Sequence, residues 1–152
     1  MTFLANGDDP GLLVFPTHRF VHSLPSFSFE EMVKKAAALF HVTPLAKTVD
    51  ARTATTQLDE AKAAGVSFVA CAPDGSAALL SLKKDADLAG HPLLGQVHAA
   101  LRVTDVAVLH LGILEAILGI SKEAQAAKTN IWYPQNAAES LAELRGGKGQ
   151  VL

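Results

Sequence analysis

The sequence contains little cysteine, tryptophan or tyrosine, and it has no large excess of either charge. The 152-residue chain has one cysteine, Cys71, one tryptophan and one tyrosine, and its 13 lysines and arginines nearly balance 15 aspartates and glutamates. A single cysteine excludes an internal disulfide framework. The formal net charge of −2 provides no basic surface of the kind that binds nucleic acid, so we expect no nucleic-acid partner.

Long apolar runs and two familiar motifs are missing as well. The longest apolar run, Val106 to Leu118, is interrupted by His110 and Glu115. It is shorter than the roughly 18 residues that a membrane span needs, so we expect no membrane partner. No G-x-x-x-x-G-K-S/T phosphate loop and no G-x-S-x-G hydrolase motif occur. Because the opening MTFLANGDD lacks the basic lead and full apolar region of a secretory signal, we expect a cytoplasmic protein.

Apolar residues, in contrast, are abundant. The chain is 49% hydrophobic and only 18% charged, with a mean hydropathy of +0.25. This composition is more apolar than that of a typical soluble domain. It indicates either an unusually well-buried core or a surface that further protein covers. The length suits one domain, so we assign residues 1–152 to a single domain.

Turn residues and capping residues predict the elements near the N-terminus. Thr2–Ala5 and Leu12–Phe15 are typical of two strands that form a hairpin around the turn-rich NGDDPG. Ser28 stands three residues before Glu31, which is the capping-box spacing. We therefore predict a helix whose apolar positions recur from Phe29 to Phe40.

The middle of the chain alternates between strands and one helix. HVTPLAK predicts a short strand, which Pro44 confines to a sheet edge. Thr53 is predicted to open a helix that has Gly65 at its C′ position. Val66–Ala72 is apolar on both faces, which predicts a central, covered strand, and Ala77–Leu82 is predicted to pair back on it as a hairpin.

The last third predicts three helices and two strands. Two helices are separated near Arg102–Asp105, and the second is capped by Thr104 or Asp105 and ended by Gly119. TNIWYP predicts a strand, Asn136 caps a helix through Arg145, and KGQVL begins another strand. Helices and strands are mixed without strict βαβ alternation. The predicted class is therefore α+β, one domain with a mixed or mostly antiparallel sheet and helices packed on it.

The candidate binding residues follow the second predicted strand directly. Thr17, His18 and Arg19 offer a hydroxyl, a titratable ring and a fixed cation within one step of Pro16. Such a group can hold an anion, since arginine presents a fork of N–H donors. The acidic turn that contains Asp9 lies at the other end of that strand, roughly 13 Å away, and is a separate feature. The alternative is a strand end that merely reaches water.

Histidines and cysteine do not form a metal motif. The chain has six histidines, but no H-E-x-x-H arrangement and no cysteine pair at zinc spacing. We therefore predict no metal site. His110 and Glu115 lie in a helix that is apolar nearly all round, and each needs a partner or water there. An α-helix would place them about 140° apart, so we expect them not to act as a pair.

Two stretches resemble a known family. FLANGDDPGLLVFPTHRFV is similar to the N-x-x-D-P-G-L and P-T-H-R segments of domain-of-unknown-function family 1015, which is found in bacteria and archaea. The pattern includes Asn6 and Asp9 and ends at Arg19. LRVTDVAVLHLGILEAILGI resembles the L-D-V-x-x-L-H helix of that family and places Asp105 and His110 in its pattern.

The sequence departs from that family at both ends. Family members carry a Gly-His-His-Arg segment upstream and a Pro-Gln-Lys-Ser-Thr segment near the C-terminus, and neither occurs in this sequence. The resemblance therefore implies an excerpt of a longer protein, whose remaining segments would be partners of this chain. We also expect self-association, because such an excerpt exposes sheet edges and apolar surface.

The resemblance implies a function only by analogy. Some relatives in the broader grouping resemble small-molecule kinases that act on free serine, which would give the Thr17, His18 and Arg19 group a phosphate to bind. Arg19 would then bind a phosphate or carboxylate, and His18 would donate or accept a hydrogen bond. The alternative is a non-catalytic domain for substrate binding or oligomerisation. The sequence identifies no cofactor, and we expect no turnover by this chain alone.

Overall fold

The strands form two small antiparallel sheets in the computed structural model, which describes residues 17–152. The two-stranded sheet joins β1 (Phe20–Val21) to β5 (Ile131–Trp132). The three-stranded sheet has the order β2-β4-β3, formed by β2 (Phe40–Pro44), β3 (Ser67–Cys71) and β4 (Ala77–Leu82). All strand pairs among the described residues are antiparallel, and the predicted α+β class is confirmed.

Helices surround both sheets, and most of them are short. The α-helices are α1 (Phe29–Ala36), α2 (Ala51–Lys62), α3 (Ala99–Arg102), α4 (Asp105–Ala107), α5 (Lys122–Ala127) and α6 (Ala137–Glu143). A 3₁₀ turn occupies Leu94–Gln96. Two wider, π-helical segments continue α4 and α6 directly, over Val108–Glu115 and Leu144–Lys148. In the part of the chain from residue 17 onward, no helix combines the length and the hydropathy that crossing a membrane requires.

Three predicted N-caps are confirmed by their hydrogen bonds. The Ser28 hydroxyl accepts from the backbone N–H of the third helical residue of α1 at 3.4 Å. Thr104 caps α4 in the same way at 3.2 Å, and Asn136 caps α6 at 3.1 Å. Each side chain satisfies a backbone donor that the first helical turn leaves without a partner. These boundaries depend on residues three apart, which is why the sequence predicts them well.

The predicted start of α2 is wrong by three residues. Asp50 is the N-cap, and its Oδ1 accepts from the Thr53 backbone N–H at 2.7 Å. Aspartate is a stronger N-cap than threonine, so the earlier residue sets the boundary. Gly65 follows the C-cap, Ala63, by two residues and has φ of +135°, so it lies one position later than predicted.

Helical periodicity also places Phe40 in the wrong element. Helix α1 ends at Ala36, and Phe40 is the first residue of β2. The side chain is nevertheless buried, with 1% of its surface exposed. The apolar spacing therefore identifies a core residue correctly while giving it the wrong backbone conformation. The prediction that β2 is an edge strand is confirmed.

The prediction of a central strand over Val66–Ala72 is wrong, although its hairpin with Ala77–Leu82 is confirmed. The central strand is β4, which pairs with β2 on one side and β3 on the other. Helix α2 packs against β3, and β3 also lines a groove described below. Strand β3 is therefore apolar although it lies at an edge of the sheet, because it packs against α2 and also lines the groove.

The last residues of the chain connect the two sheets. Val151 forms a bridge with Val21 of β1, and the Val21 N–H donates to the Val151 carbonyl at 2.8 Å. Leu152 and Cys71 of β3 exchange two backbone hydrogen bonds of 2.8 and 3.0 Å. The predicted strand at KGQVL is thus reduced to single-residue pairing. The chain reaches this tail through Gly147, whose φ of +82° breaks the helical run. The α-helical part ends at Glu143, and the π-helical segment continues it through Arg145, so the predicted end at Gly146 and Gly147 is confirmed.

One hydrophobic cluster contains residues of both sheets. It includes Val21 and Ile131 from the two-stranded sheet and Phe40 and Leu80 from the three-stranded sheet, together with Leu114 of the first π-helical segment. Each of these five is at most 2% exposed. The predicted hairpin of Thr2–Ala5 and Leu12–Phe15 lies outside the described residues.

Candidate functional site

Arg19 lies immediately before β1, in a segment that is fixed by strand pairing. The His18 backbone N–H donates to the Pro134 carbonyl at 2.8 Å, and Phe20 of β1 pairs with Trp132 of β5. The pairing therefore extends past both strand ends. It holds Thr17, His18 and Arg19 beside the residues that follow β5.

The Arg19 guanidinium is oriented by two neighbours. Its Nη1 donates to the Thr17 carbonyl at 2.6 Å and contacts Thr17 Oγ1 at 3.2 Å. Its Nη2 lies 3.2 Å from Nε2 of His110, a residue 91 positions away in sequence. The Tyr133 ring centroid lies 5.6 Å from Arg19 Cζ, within the range of a cation–π interaction.

These contacts leave part of the guanidinium without a partner. A guanidinium carries five N–H donors. Among residues 17–152, the buried Nε of Arg19 has no hydrogen-bond acceptor, and no carboxylate forms an ion pair with Arg19. A buried N–H without an acceptor is uncommon and is often satisfied by a water or an ion. The Arg19 guanidinium therefore keeps a hydrogen-bond donor that no described residue uses.

His110 connects Arg19 to a buried amide. Its Nδ1 lies 2.5 Å from Oε1 of Gln125, a residue that is 7% exposed. Gln125 Nε2 donates to the carbonyls of Ile120 at 2.8 Å and His110 at 3.3 Å, which assigns the amide orientation. Gln125 Oε1 must then accept from His110 Nδ1–H. Neutral His110 consequently presents an unprotonated Nε2 to Arg19.

The backbone that carries His110 is π-helical. Ala116 N–H donates to the Leu111 carbonyl at 3.1 Å, five residues back. The α-helical separation of 140° between His110 and Glu115 is therefore wrong, because a π-helix has a wider turn. The two side chains still have different surroundings. His110 binds Arg19 and Gln125, whereas the buried Oε2 of Glu115 has no partner among the described residues.

His18 supplies a neutral ring to this site. Burial lowers its pKa below the usual 6.5, and the positive charge of Arg19 lowers the pKa further. The imidazolium form is therefore disfavoured near neutral pH. His18 can still donate one N–H or accept one hydrogen bond, as the sequence implies, while Arg19 carries the positive charge.

A groove of about 430 Å³ runs past the three residues. Thr17, His18 and Arg19 line it together with Asp105, and apolar side chains line most of the remaining surface. The Asp105 carboxylate caps its own helix locally, since Oδ1 accepts from the Val106 N–H at 2.8 Å. A ligand in the groove would thus meet two basic side chains in a mainly apolar channel: Arg19, and Lys62, which forms an ion pair with Asp59 at 2.8 Å.

Comparison with known protein families explains the pattern of these residues. The family model described as "Protein of unknown function (DUF1015)" matches residues 1–108 of the 152. The chain belongs to this family. The comparisons found no match among curated proteins and none among solved structures. The DUF1015 description names no activity, so chemistry has to be argued from the site itself.

The DUF1015 match covers Thr17, His18, Arg19 and Asp105, while His110 follows its last residue by two positions. The structure joins Arg19 to His110, and it places Asp105 on the same groove without a contact to either. Asn6 and Asp9, also in the family pattern, lie outside the described residues.

Gln125 is the site residue that sequence reasoning missed. It lies in the short helix α5, whose sequence KEAQAA carries no hydrophobic stripe that would indicate a buried side. Glutamine in such a helix is usually exposed, so the sequence held no signal for its burial.

Between residues 17 and 152, no three His, Cys, Asp or Glu side chains lie together as a metal site requires.

Cys71 of the DUF1015 chain is expected to be chemically inert in the folded state. The residue is 5% exposed, and burial raises the pKa of its thiol to about 11. Because only the thiolate is an effective nucleophile, alkylation by iodoacetamide at pH 8 should be slow in buffer and fast in 6 M guanidinium chloride, roughly at the rate of a free thiol with a pKa near 8.5. Mass spectrometry of timed samples measures both rates. Equal rates in the two conditions would show that Cys71 is accessible.

Proposed function

We propose that the chain binds a small anion, a phosphate or carboxylate group, through Arg19. The observation that supports this most directly is the buried Nε of Arg19, which has no acceptor among residues 17–152. Arginine binds such groups through two parallel N–H donors. An oxygen of the anion would accept from Nε–H, and a second oxygen could accept from the Nη2 hydrogen that His110 does not use.

Preorganisation of the guanidinium supports the same proposal. Thr17 and His110 hold Arg19 in one orientation before any ligand arrives, so binding does not have to order a flexible side chain. The Arg19 side chain also lines the groove, so part of it faces the space that a ligand would occupy. His18, beside it on the same groove, adds a neutral hydrogen-bonding ring.

The finer proposal is that the anion is a phosphate handled by a small-molecule phosphotransferase. It rests on family-level analogy with kinases that act on free serine, and fold or family analogy is a weak guide to chemistry. In this proposal Thr17, His18 and Arg19 bind the phosphate, and these three residues take no other part in the group transfer. The purified chain would then bind phosphate without turnover.

The test compares two arginine variants in phosphate binding. Arg19→Ala should weaken inorganic phosphate binding about tenfold to a hundredfold, since a hydrogen bond to a charged group contributes roughly 1.5–3 kcal/mol. Arg52→Ala, at an exposed position of α2, removes the same formal charge and should bind phosphate like the wild type. Isothermal titration calorimetry at constant ionic strength measures all three affinities.

Two results would contradict anion binding. Equal weakening in both variants would indicate a general charge effect, because Arg52 does not line the groove. No phosphate binding by the wild type, with Arg19→Ala lowering only the melting temperature, would assign Arg19 a structural role. The second result would favour the non-catalytic alternative.

A further inference from the structure

We propose that Gln125 and His110 are positioning residues that hold Arg19 ready for its anion. The inference rests on the proposed function and deepens it. Gln125 selects the His110 tautomer with hydrogen on Nδ1, and the free lone pair on Nε2 then fixes one Nη2 hydrogen of Arg19. Three residues from α5, the π-helical segment and the start of β1 thereby act as one unit.

The first step depends on an amide that has no freedom to reverse. Gln125 Nε2 donates to two backbone carbonyls, those of Ile120 and His110, at 2.8 and 3.3 Å. Reversing the amide would place Oε1 against both carbonyl oxygens and lose both of these hydrogen bonds. Such a loss is costly for a side chain that is 7% exposed. Oε1 therefore stays directed at His110 Nδ1.

The second step depends on what the imidazole can offer to a cation. With hydrogen on Nδ1, Nε2 is a pure acceptor and matches the Arg19 donor 3.2 Å away. The other tautomer would place an N–H against the Nη2 hydrogens and break the contact. The amide of Gln125 thus determines, through the ring, whether Arg19 has an acceptor on this side.

The third step concerns the donors that remain. Thr17 accepts hydrogen bonds from Nη1, and His110 accepts one hydrogen of Nη2. The buried Nε has no acceptor among the described residues. These contacts hold the guanidinium in an orientation in which Nε has no acceptor among the described residues. Because Arg19 is already ordered, binding an external oxygen does not include the entropy cost of ordering a free side chain, which would reduce affinity.

The experiment combines phosphate titration with a spectroscopic measurement of the ring. Gln125→Met preserves length and removes the amide, and it should weaken phosphate binding about three- to tenfold. The ¹⁵N shifts of His110 should show hydrogen on Nδ1 in the wild type and a tautomer mixture in the variant. Gln57→Met, at a partly exposed position of α2 that does not line the groove, is the matched control and should change neither measurement.

A second pair of variants keeps the test decisive if Gln125→Met fails to fold. His110→Gln retains an acceptor for Arg19 and should stay within about threefold of wild-type affinity, whereas His110→Leu should lose about three- to tenfold. Phosphate binding that is unchanged in Gln125→Met or His110→Leu overturns the positioning role alone. So does hydrogen on Nε2 of wild-type His110. Absence of phosphate binding by the wild type overturns the proposed function itself, and with it any role of this unit in binding.

Discussion

Phe40→Ala is expected to lower the free energy of unfolding by about 3–5 kcal/mol. The Phe40 side chain is 1% exposed and belongs to the cluster that contains residues of both sheets. Its ring meets that of Phe68 edge to face, with centroids 6.1 Å apart and planes at 72°. Truncation would remove this pair and leave a cavity that β2 cannot close without losing its register with β4.

Urea denaturation followed by circular dichroism measures that loss. Phe29→Ala is the matched control, because Phe29 begins α1 and is only partly buried against the same cluster. Its loss should be clearly smaller, since less apolar surface returns to water. Equal losses for the two variants, or a loss below about 1 kcal/mol for Phe40→Ala, would contradict the central place of Phe40 in the core.

Gly149→Ala is expected to destabilise the chain by about 1–3 kcal/mol through overpacking. A Cβ at this position would collide with the Phe20 ring, lying 2.6 Å from Cζ and closer still to Cε1, and would lie 3.0 Å from the Val21 carbonyl oxygen. Phe20 cannot yield easily, because it is fully buried and stacked on Trp132 at 5.2 Å. The backbone at Gly149 is extended, so the effect comes from contact and not from φ.

Gly146→Ala, three positions earlier in the sequence, is not expected to destabilise the chain. A Cβ there would meet nothing within 4 Å, and alanine is favoured over glycine in a helical turn. We expect this variant to be neutral or slightly stabilising when both proteins are melted side by side. A similar loss in the two variants would mean that the tail tolerates no side chain anywhere, which would contradict the specific contact with Phe20.

The parts of the fold that sequence predicts correctly are those set by near neighbours. Ser28, Thr104 and Asn136 cap helices through partners three residues away. The hairpin of β3 and β4 is equally local. Which strand lies in the middle of the sheet depends instead on β2, which is far from β3 in sequence. Hydrophobicity alone could not rank β3 below β4, because a helix or a neighbouring strand can cover the same apolar residues.

The candidate site likewise contains residues that the sequence identifies and residues that it does not. The adjacent residues Thr17, His18 and Arg19 are visible in the sequence as one polar step. The contact between Arg19 and His110 spans 91 residues. The sequence singles out His110, both as a polar residue in an apolar helix and through the family resemblance, but it does not identify Arg19 as its partner. Gln125 had no signal of either kind. The sequence does not mark the π-helical segment, whose wider turn changes the face on which His110 lies.

The C-terminal tail gives the two sheets a common opening event. The amide hydrogen of Val21 is held by Val151, and that of Cys71 is held by Leu152, although the two amides belong to different sheets. Detachment of the last two residues would expose both amides to solvent exchange at once. The stretch that carries Arg19 and the edge that carries Cys71 are therefore linked through Val151 and Leu152, and we expect the amides of Val21 and Cys71 to show similar protection from exchange.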